Sequence, residues 1–128
     1  LLTTWLGNLV GTAIGAFAFL NTRNALVAQN VDIICDAKLD DTPLSIFILA
    51  VFCGFLMYIA VDGFKEKGNP IILFMGVSVF ILCGFEHCIA NMFYFSLAGA
   101  WSGKAFLYLL IMTIGNSVGG ILIPFVKK

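Results

Sequence analysis

Three polar side chains, two of them titratable, stand close together in the middle of an apolar segment. Glu86, His87 and Asn91 lie within residues 84–95, GFEHCIANMFYF, and His87 is the only histidine of the 128 residues. Taking an ionisable side chain out of water is costly, so such residues rarely lie at membrane depth without a task. The segment therefore indicates the polar centre of a conduit through an apolar wall. The alternative is a pair of side chains that joins helices by hydrogen bonds.

The composition identifies the surroundings of this centre as a membrane. The chain is 61% hydrophobic and 11% charged, whereas about a quarter of the residues of a soluble domain are charged. Its formal net charge of zero gives no indication of nucleic acid or of an acidic partner. Three of the four cysteines lie in apolar segments and act there as small hydrophobic side chains. Cys35 is predicted to lie in a polar loop.

Apolar segments of membrane-spanning length divide the chain and predict an all-α integral membrane fold in one transmembrane domain. The spans are expected at about 3–20, 44–62, 71–97 and 105–126. The third is too long for one straight helix across the hydrocarbon core, and Glu86 and His87 interrupt it. We predict a break there, although tilt is the alternative. The stretch 21–42 is a polar connection.

The charges between the spans predict an orientation. The first and third spans run outward, the second and fourth run inward, and both chain ends lie on one side. That side carries four lysines, of which Lys127 and Lys128 close the chain, against three basic residues opposite. The positive-inside rule then places the C-terminus in the cytoplasm. We expect a multi-pass protein of the cell inner (plasma) membrane.

A short motif, G-N-x-V-G, occurs at residues 7–11 and again at 115–119, in spans of opposite direction. Inverted repeats of this kind commonly place a substrate path at the bilayer midplane, formed by broken helices. If the repeat is real, the first span is the third element of one half, and two further N-terminal helices complete a protein of six spans. Alternatively, small-residue motifs arise independently in many membrane helices.

Three motifs of the sequence resemble those of a known family. The central GFEHCIANMFYF, TIGNSVGG at 113–120 and WLGNLVG at 5–11 are similar to signatures of the formate/nitrite transporter family. The resemblance implies that this chain is the C-terminal two-thirds of an aquaporin-like six-helix inverted-repeat fold. It also implies a homo-pentamer whose protomers each have a pore for small monovalent anions of weak acids, such as formate, nitrite or hydrosulfide.

The resemblance also implies roles for individual residues. His87 matches the central pore histidine, Phe80 an outer constriction and Met57 the cytoplasmic constriction. The polar residues around the histidine are matched by Glu86, Asn91 and Asn116. Two positions depart from the common pattern. Gly54 stands where many members have an asparagine, and Cys88, in place of a serine, is similar to the branch associated with hydrosulfide.

The proposed chemistry uses the proton of His87. An anion in an apolar pore loses its hydration, and two devices can offset that cost: backbone N–H groups at the ends of broken helices, and a proton donor. Imidazole, with an ordinary pKa of about 6.5, suits the second. We expect His87 to set selectivity and to exchange protons with the anion. Glu86 is expected to tie the broken segment to a neighbouring helix, and Asn8 and Asn116 to join helices.

Two other classes of function compete with transport. A metal site or membrane enzyme could use Cys83 and His87, which are four residues apart and could share a helix face, but strong metal motifs have three or four ligands. We expect no enzyme activity, no metal and no cofactor. A helical scaffold subunit of a membrane complex is the other alternative, with Glu86 and His87 as an interhelical pair.

Overall fold

The structure is a computed structural model that describes residues 1–126, so Lys127 and Lys128 of the orientation prediction lie outside the described residues. Every regular element in the described part is a helix. Their bounds are α1 Leu2–Leu20, a 3-10 helix Arg23–Val27, α2 Ala28–Leu39, α3 Pro43–Lys67, α4 Pro70–Leu82, α5 Cys88–Leu97 and α6 Gly103–Val126. Helices α1, α3 and α6 are long and apolar enough to cross a membrane. The chain is an all-helical membrane protein.

The helices form two compact units. Within the described residues, the first contains Leu1–Thr42 and Cys88–Leu110, and the second contains Pro43–His87 and 111–126. In the first unit α1 and α2 both pack against α5, and in the second α3 packs against α4. The division passes through the 71–97 segment directly after His87. His87 therefore belongs to the second unit, together with Phe80.

The 71–97 segment is two helices with a non-helical stretch between them, at residues 83–87. Helix α4 ends in a Schellman motif: the Gly84 N–H donates to the Ile81 carbonyl at 3.2 Å, and the Phe85 N–H to the Phe80 carbonyl at 3.0 Å. This cap needs a left-handed residue, and Gly84 has φ 66°. The break therefore begins at a local signal in the sequence, a glycine one residue past the helix cap.

Replacing Gly84 with alanine should destabilise the protein by about 1–2 kcal/mol, because a Cβ atom is unfavourable in the left-handed region. Space is not the obstacle, since no atom lies within 4 Å of the added Cβ. Gly103→Ala is the matched control, because it also has open space but no left-handed backbone. The free energy of unfolding, measured in mixed detergent, should fall for the first variant only. Equal values would show that the cap does not hold the end of α4.

Helices α3 and α4 form a close hairpin. Gly68, with φ 63°, makes the turn, and the Asn69 side chain caps α4 by accepting from the Ile71 N–H at 3.0 Å. Farther along, a Cβ atom added at Gly76 would lie 2.5 Å from the Cβ of Ala60. In a bilayer, helices associate through such close packing of small residues. This hairpin fixes the helix that carries Phe80.

Helix α1 runs opposite to α5. The Trp5 ring, near the start of α1, contacts Phe106, which follows α5 in the chain, whereas Phe19, near the end of α1, contacts Phe93 inside α5. Five non-helical residues precede α5 and give the chain room to turn within the 71–97 segment. A count of spans therefore does not fix the direction of α5, and the predicted orientation of the spans stays a prediction.

The prediction that Cys35 lies in a polar loop is wrong. Cys35 lies on helix α2 and is buried, as is Val31. These residues are four apart and share a helix face, while Asp32 and Asp36 are exposed. About half of the segment that was predicted to be a connection is therefore a helix, and Val31 and Cys35 bury one of its faces in the first unit. All four cysteines are thiols.

Candidate functional site

The centre of the candidate site is a pair of stacked rings at the break. The rings of Phe80 and His87 have centroids 5.4 Å apart and an interplanar angle of 22°. Phe80 is buried and His87 is half-buried. Phe80 lies in the last turn of α4, and the chain turns back at Gly84, so the cap brings the imidazole over the phenyl ring. The structure thus joins the titratable residue to the aromatic residue that was predicted to form a constriction.

Asn116 on α6 holds the break in place. Its Nδ2 donates to the Ala50 carbonyl at 2.8 Å and to the Glu86 carbonyl at 2.7 Å. A side-chain amide nitrogen has two hydrogens, and these two bonds account for both. Ala50 is on α3 and Glu86 is in the break. One side chain therefore ties α3 and the residue before His87 to α6.

A very close approach of α3 and α6 lets this short side chain reach across. A Cβ atom added at Gly54 would collide with the Asn116 carbonyl oxygen and would lie 2.9 Å from the Gly120 nitrogen. A Cβ atom added at Gly119 would collide with the Val51 carbonyl oxygen. Glycine at both positions brings the two backbones into direct contact, as in other small-residue membrane interfaces.

This packing shows what the glycine at position 54 makes possible in this chain. The Cβ direction of Gly54 points at the backbone of α6, at Asn116, Gly119 and Gly120. An asparagine at position 54 would have to displace α6 before its side chain could approach His87. Glycine in place of asparagine at position 54 thus goes together with the close packing of α6 on α3.

Glu86 is buried, with 3% of its surface exposed. The prediction was that this residue ties the broken segment to a neighbouring helix. Its backbone carbonyl accepts a hydrogen bond from Asn116 of α6, which any residue at this position could do, so the role of the Glu86 side chain stays a prediction. The neighbouring Phe85 adds another contact, because its ring stacks on Phe52 of α3 at 5.7 Å. No spacing in the sequence pointed to Phe52.

The other predicted residues lie elsewhere. Met57 is half-buried on α3, and no contact described for residues 1–126 joins it to the ring pair. Cys88 begins α5, and Asn91 lies one turn further; both are buried in the first unit. Asn8 donates to the Thr4 carbonyl of its own helix at 2.9 Å. The roles of these four residues remain predictions.

The geometry does not suit the metal alternative. Helix α4 ends at Leu82, so His87 lies outside it and cannot share a helix face with Cys83. Within residues 1–126, no group of three or more histidine, cysteine, aspartate or glutamate side chains is arranged to hold a metal ion.

Comparison with known proteins gives one consistent family. The model of the family described as formate/nitrite transporter matches residues 1–127. The chain is 30% identical to the nitrite transporter NirC of Escherichia coli over 132 residues, which cover 91% of this chain and 48% of NirC. It is 27% identical to the formate channel FocA of Haemophilus influenzae, with 93% and 54% covered.

A more distant organism gives the same result. The chain is 31% identical to a formate-nitrite transporter of Plasmodium knowlesi, with 80% of this chain and 35% of the relative covered. No solved structure gave a significant match. The chain thus spans about half the length, or less, of these curated relatives.

Proposed function

This chain belongs to the formate/nitrite transporter family, and from that membership we propose that the full-length protein passes small monovalent anions of weak acids across a membrane. Formate, nitrite and hydrosulfide are the candidate substrates. The relatives are named as transporters or channels and none as an enzyme. The observation that carries the proposal is the Phe80–His87 ring stack at a break between two apolar helices.

The ring pair suggests how an anion passes. A dehydrated anion is unfavourable beside the buried phenyl ring of Phe80. Protonated His87 donates its ring N–H proton to the anion, which becomes a neutral weak acid, and the imidazole becomes neutral. The acid passes the apolar constriction and releases its proton beyond it, and water on the entry side reprotonates the imidazole. Protons are therefore partners of transport together with the anion.

The remaining features of the proposal come from the family resemblance. We propose six spans in each protomer, a pentamer with one pore per protomer, and a plasma-membrane location with the C-terminus in the cytoplasm. Met57 forms the cytoplasmic constriction, and Asn91 is one of the polar residues around the histidine. The Cys88 thiol, next to His87 in the chain, adapts the site to a soft anion such as hydrosulfide.

Anion uptake into proteoliposomes by the full-length protein tests the proposal. Uptake of formate, nitrite and hydrosulfide should rise as the pH falls, because protonated imidazole and neutral acid both become more abundant. His87→Phe should lower uptake by about a hundredfold or more, the scale of losing a proton-transfer group. His87→Gln, which keeps a polar side chain but cannot titrate, should lose the pH dependence.

The outcomes separate the alternatives. Equal uptake by the native protein and both variants would show that His87 only joins helices. No uptake by the native protein, with correct assembly, would favour the scaffold subunit instead.

A further inference from the structure

We propose that Gly54 and Asn116 work as one positioning device for His87, and that Asn116 is not a ligand of the anion. The functional consequence rests on the proposed anion passage, but the contacts themselves do not. The device consists of the α3–α6 contact at Gly54 and the two hydrogen bonds of the Asn116 amide.

The first step is the position of the Glu86 carbonyl. This carbonyl and the His87 N–H belong to the same planar peptide group. The Asn116 bond of 2.7 Å to the oxygen therefore restrains the backbone from which the imidazole extends. Residues 85–87 lie outside any helix, so regular helical bonding does not restrain this peptide group. Asn116 supplies the restraint from α6.

The second step concerns the donor capacity of Asn116. An anion in the pore would be recognised by N–H donors, and the amide nitrogen of asparagine has two hydrogens. In the structure both are directed at backbone carbonyls, those of Ala50 and Glu86. Moving the bond from the Glu86 carbonyl to an anion would take a donor from a carbonyl outside any helix, which is costly. Moving the bond from the Ala50 carbonyl would release the tie to α3. Asn116 thus acts on the anion through the placement of His87.

The third step is the depth at which α6 lies on α3. The atoms that a Cβ at Gly54 would meet first are backbone atoms of Asn116, Gly119 and Gly120. Backbone atoms cannot rotate away, so the helix itself would have to move. A shift of α6 by an ångström takes hydrogen bonds of 2.7–2.8 Å beyond the usual range. Glycine at position 54 is therefore required for both hydrogen bonds of the Asn116 amide.

Nuclear magnetic resonance of the side-chain amide of Asn116, in the full-length protein in lipid nanodiscs, tests the device directly. The amide is assigned through the backbone of Asn116 and Ser117. In the native protein, both side-chain hydrogens should exchange slowly with water, and their shifts should not change when formate is added. In Gly54→Ala, both should exchange at least about tenfold faster, and the ring signals of His87 should shift. Gly120→Ala should match the native protein, because the atom nearest its added Cβ lies 4.0 Å away.

Each outcome supports or overturns the proposed positioning of His87. Rapid exchange of either hydrogen in the native protein, or a shift that titrates with formate, overturns the proposal without any variant. Unchanged exchange or unchanged His87 signals in a folded Gly54→Ala also overturn it. If Gly54→Ala does not fold, the native spectra still decide whether the Asn116 amide holds the two backbone carbonyls or binds the anion. Absence of anion uptake would refute the proposed function and leave this measurement intact.

Discussion

Gly119→Ala is expected to destabilise the protein by about 3 kcal/mol, the upper end of the cost of overpacking a well-packed contact. The added methyl group would collide with the Val51 carbonyl oxygen and lie 3.0 Å from the Gly54 Cα. These are backbone atoms of a membrane helix, whose positions the i to i−4 hydrogen bonds fix. The structure can relieve the contact only by separating α3 from α6. The free energy of unfolding, from titration with a denaturing detergent, measures the loss.

Gly120→Ala makes the comparison sharp, because it places the same methyl group one residue later on the same helix. The atom nearest that Cβ is the Gly54 carbonyl oxygen, at 4.0 Å, an ordinary contact distance. Alanine is also the better helix former, so this variant should be neutral or slightly stabilising. Similar losses for both variants would refute the close α3–α6 contact described here.

The parts of the fold that depend on composition and on local signals could be predicted from the sequence. Membrane helices follow from long uncharged apolar segments. The break in the third apolar segment follows from its length and its polar residues, and Gly84 marks where α4 ends. His87 was singled out by its position inside an apolar segment and Phe80 through the family resemblance, and the structure brings their rings together. They are seven positions apart in the chain, so the left-handed turn at Gly84 had to be known to predict this contact.

The segment 21–42 could not be predicted because its signals conflict. Arg23, Lys38 and four aspartates make it polar on average, and that average suggested a connection. A helix can be buried along one face while the rest of it is polar. On α2 the buried face consists of Val31 and Cys35. A face of two residues is too short for periodicity to distinguish it from chance. Only the presence of α5 opposite explains why this helix packs.

The two G-N-x-V-G copies show what a motif leaves open. Gly115 and Gly119 lie against α3, whereas nothing lies within 4 Å of a Cβ added at Gly7 or Gly11. Asn116 bonds across to Ala50 and Glu86, whereas Asn8 bonds within its own helix. The motif permits close approach and supplies an amide, but what stands opposite decides whether either is used. Within residues 1–126, the second copy thus makes contacts with α3 and with the break that the first copy does not make.

This difference gives the second large effect: Asn116→Leu should destabilise the protein by about 2 kcal/mol and lower anion uptake at least about tenfold. Leucine keeps the approximate size of the side chain but removes both donors. Removing a buried donor typically costs about 1–3 kcal/mol for the acceptor that loses it. The Ala50 carbonyl keeps its helical partner, so the main loss falls on the Glu86 carbonyl in the break. His87, held by the same peptide group, should then lose its fixed position beside Phe80.

Asn8→Leu is the matched control, since it makes the same chemical change in the other copy of the motif. The amide of Asn8 bonds to a Thr4 carbonyl that its own helix also uses, so its removal leaves no acceptor unsatisfied. Uptake and unfolding free energy should therefore stay close to the native values. If both leucine variants lose uptake to the same extent, transport needs a polar side chain in each copy of the motif, and the contacts of Asn116 are not the cause. If Asn116→Leu unfolds more easily yet keeps native uptake, the two hydrogen bonds of Asn116 stabilise the packing of α6 but do not position His87.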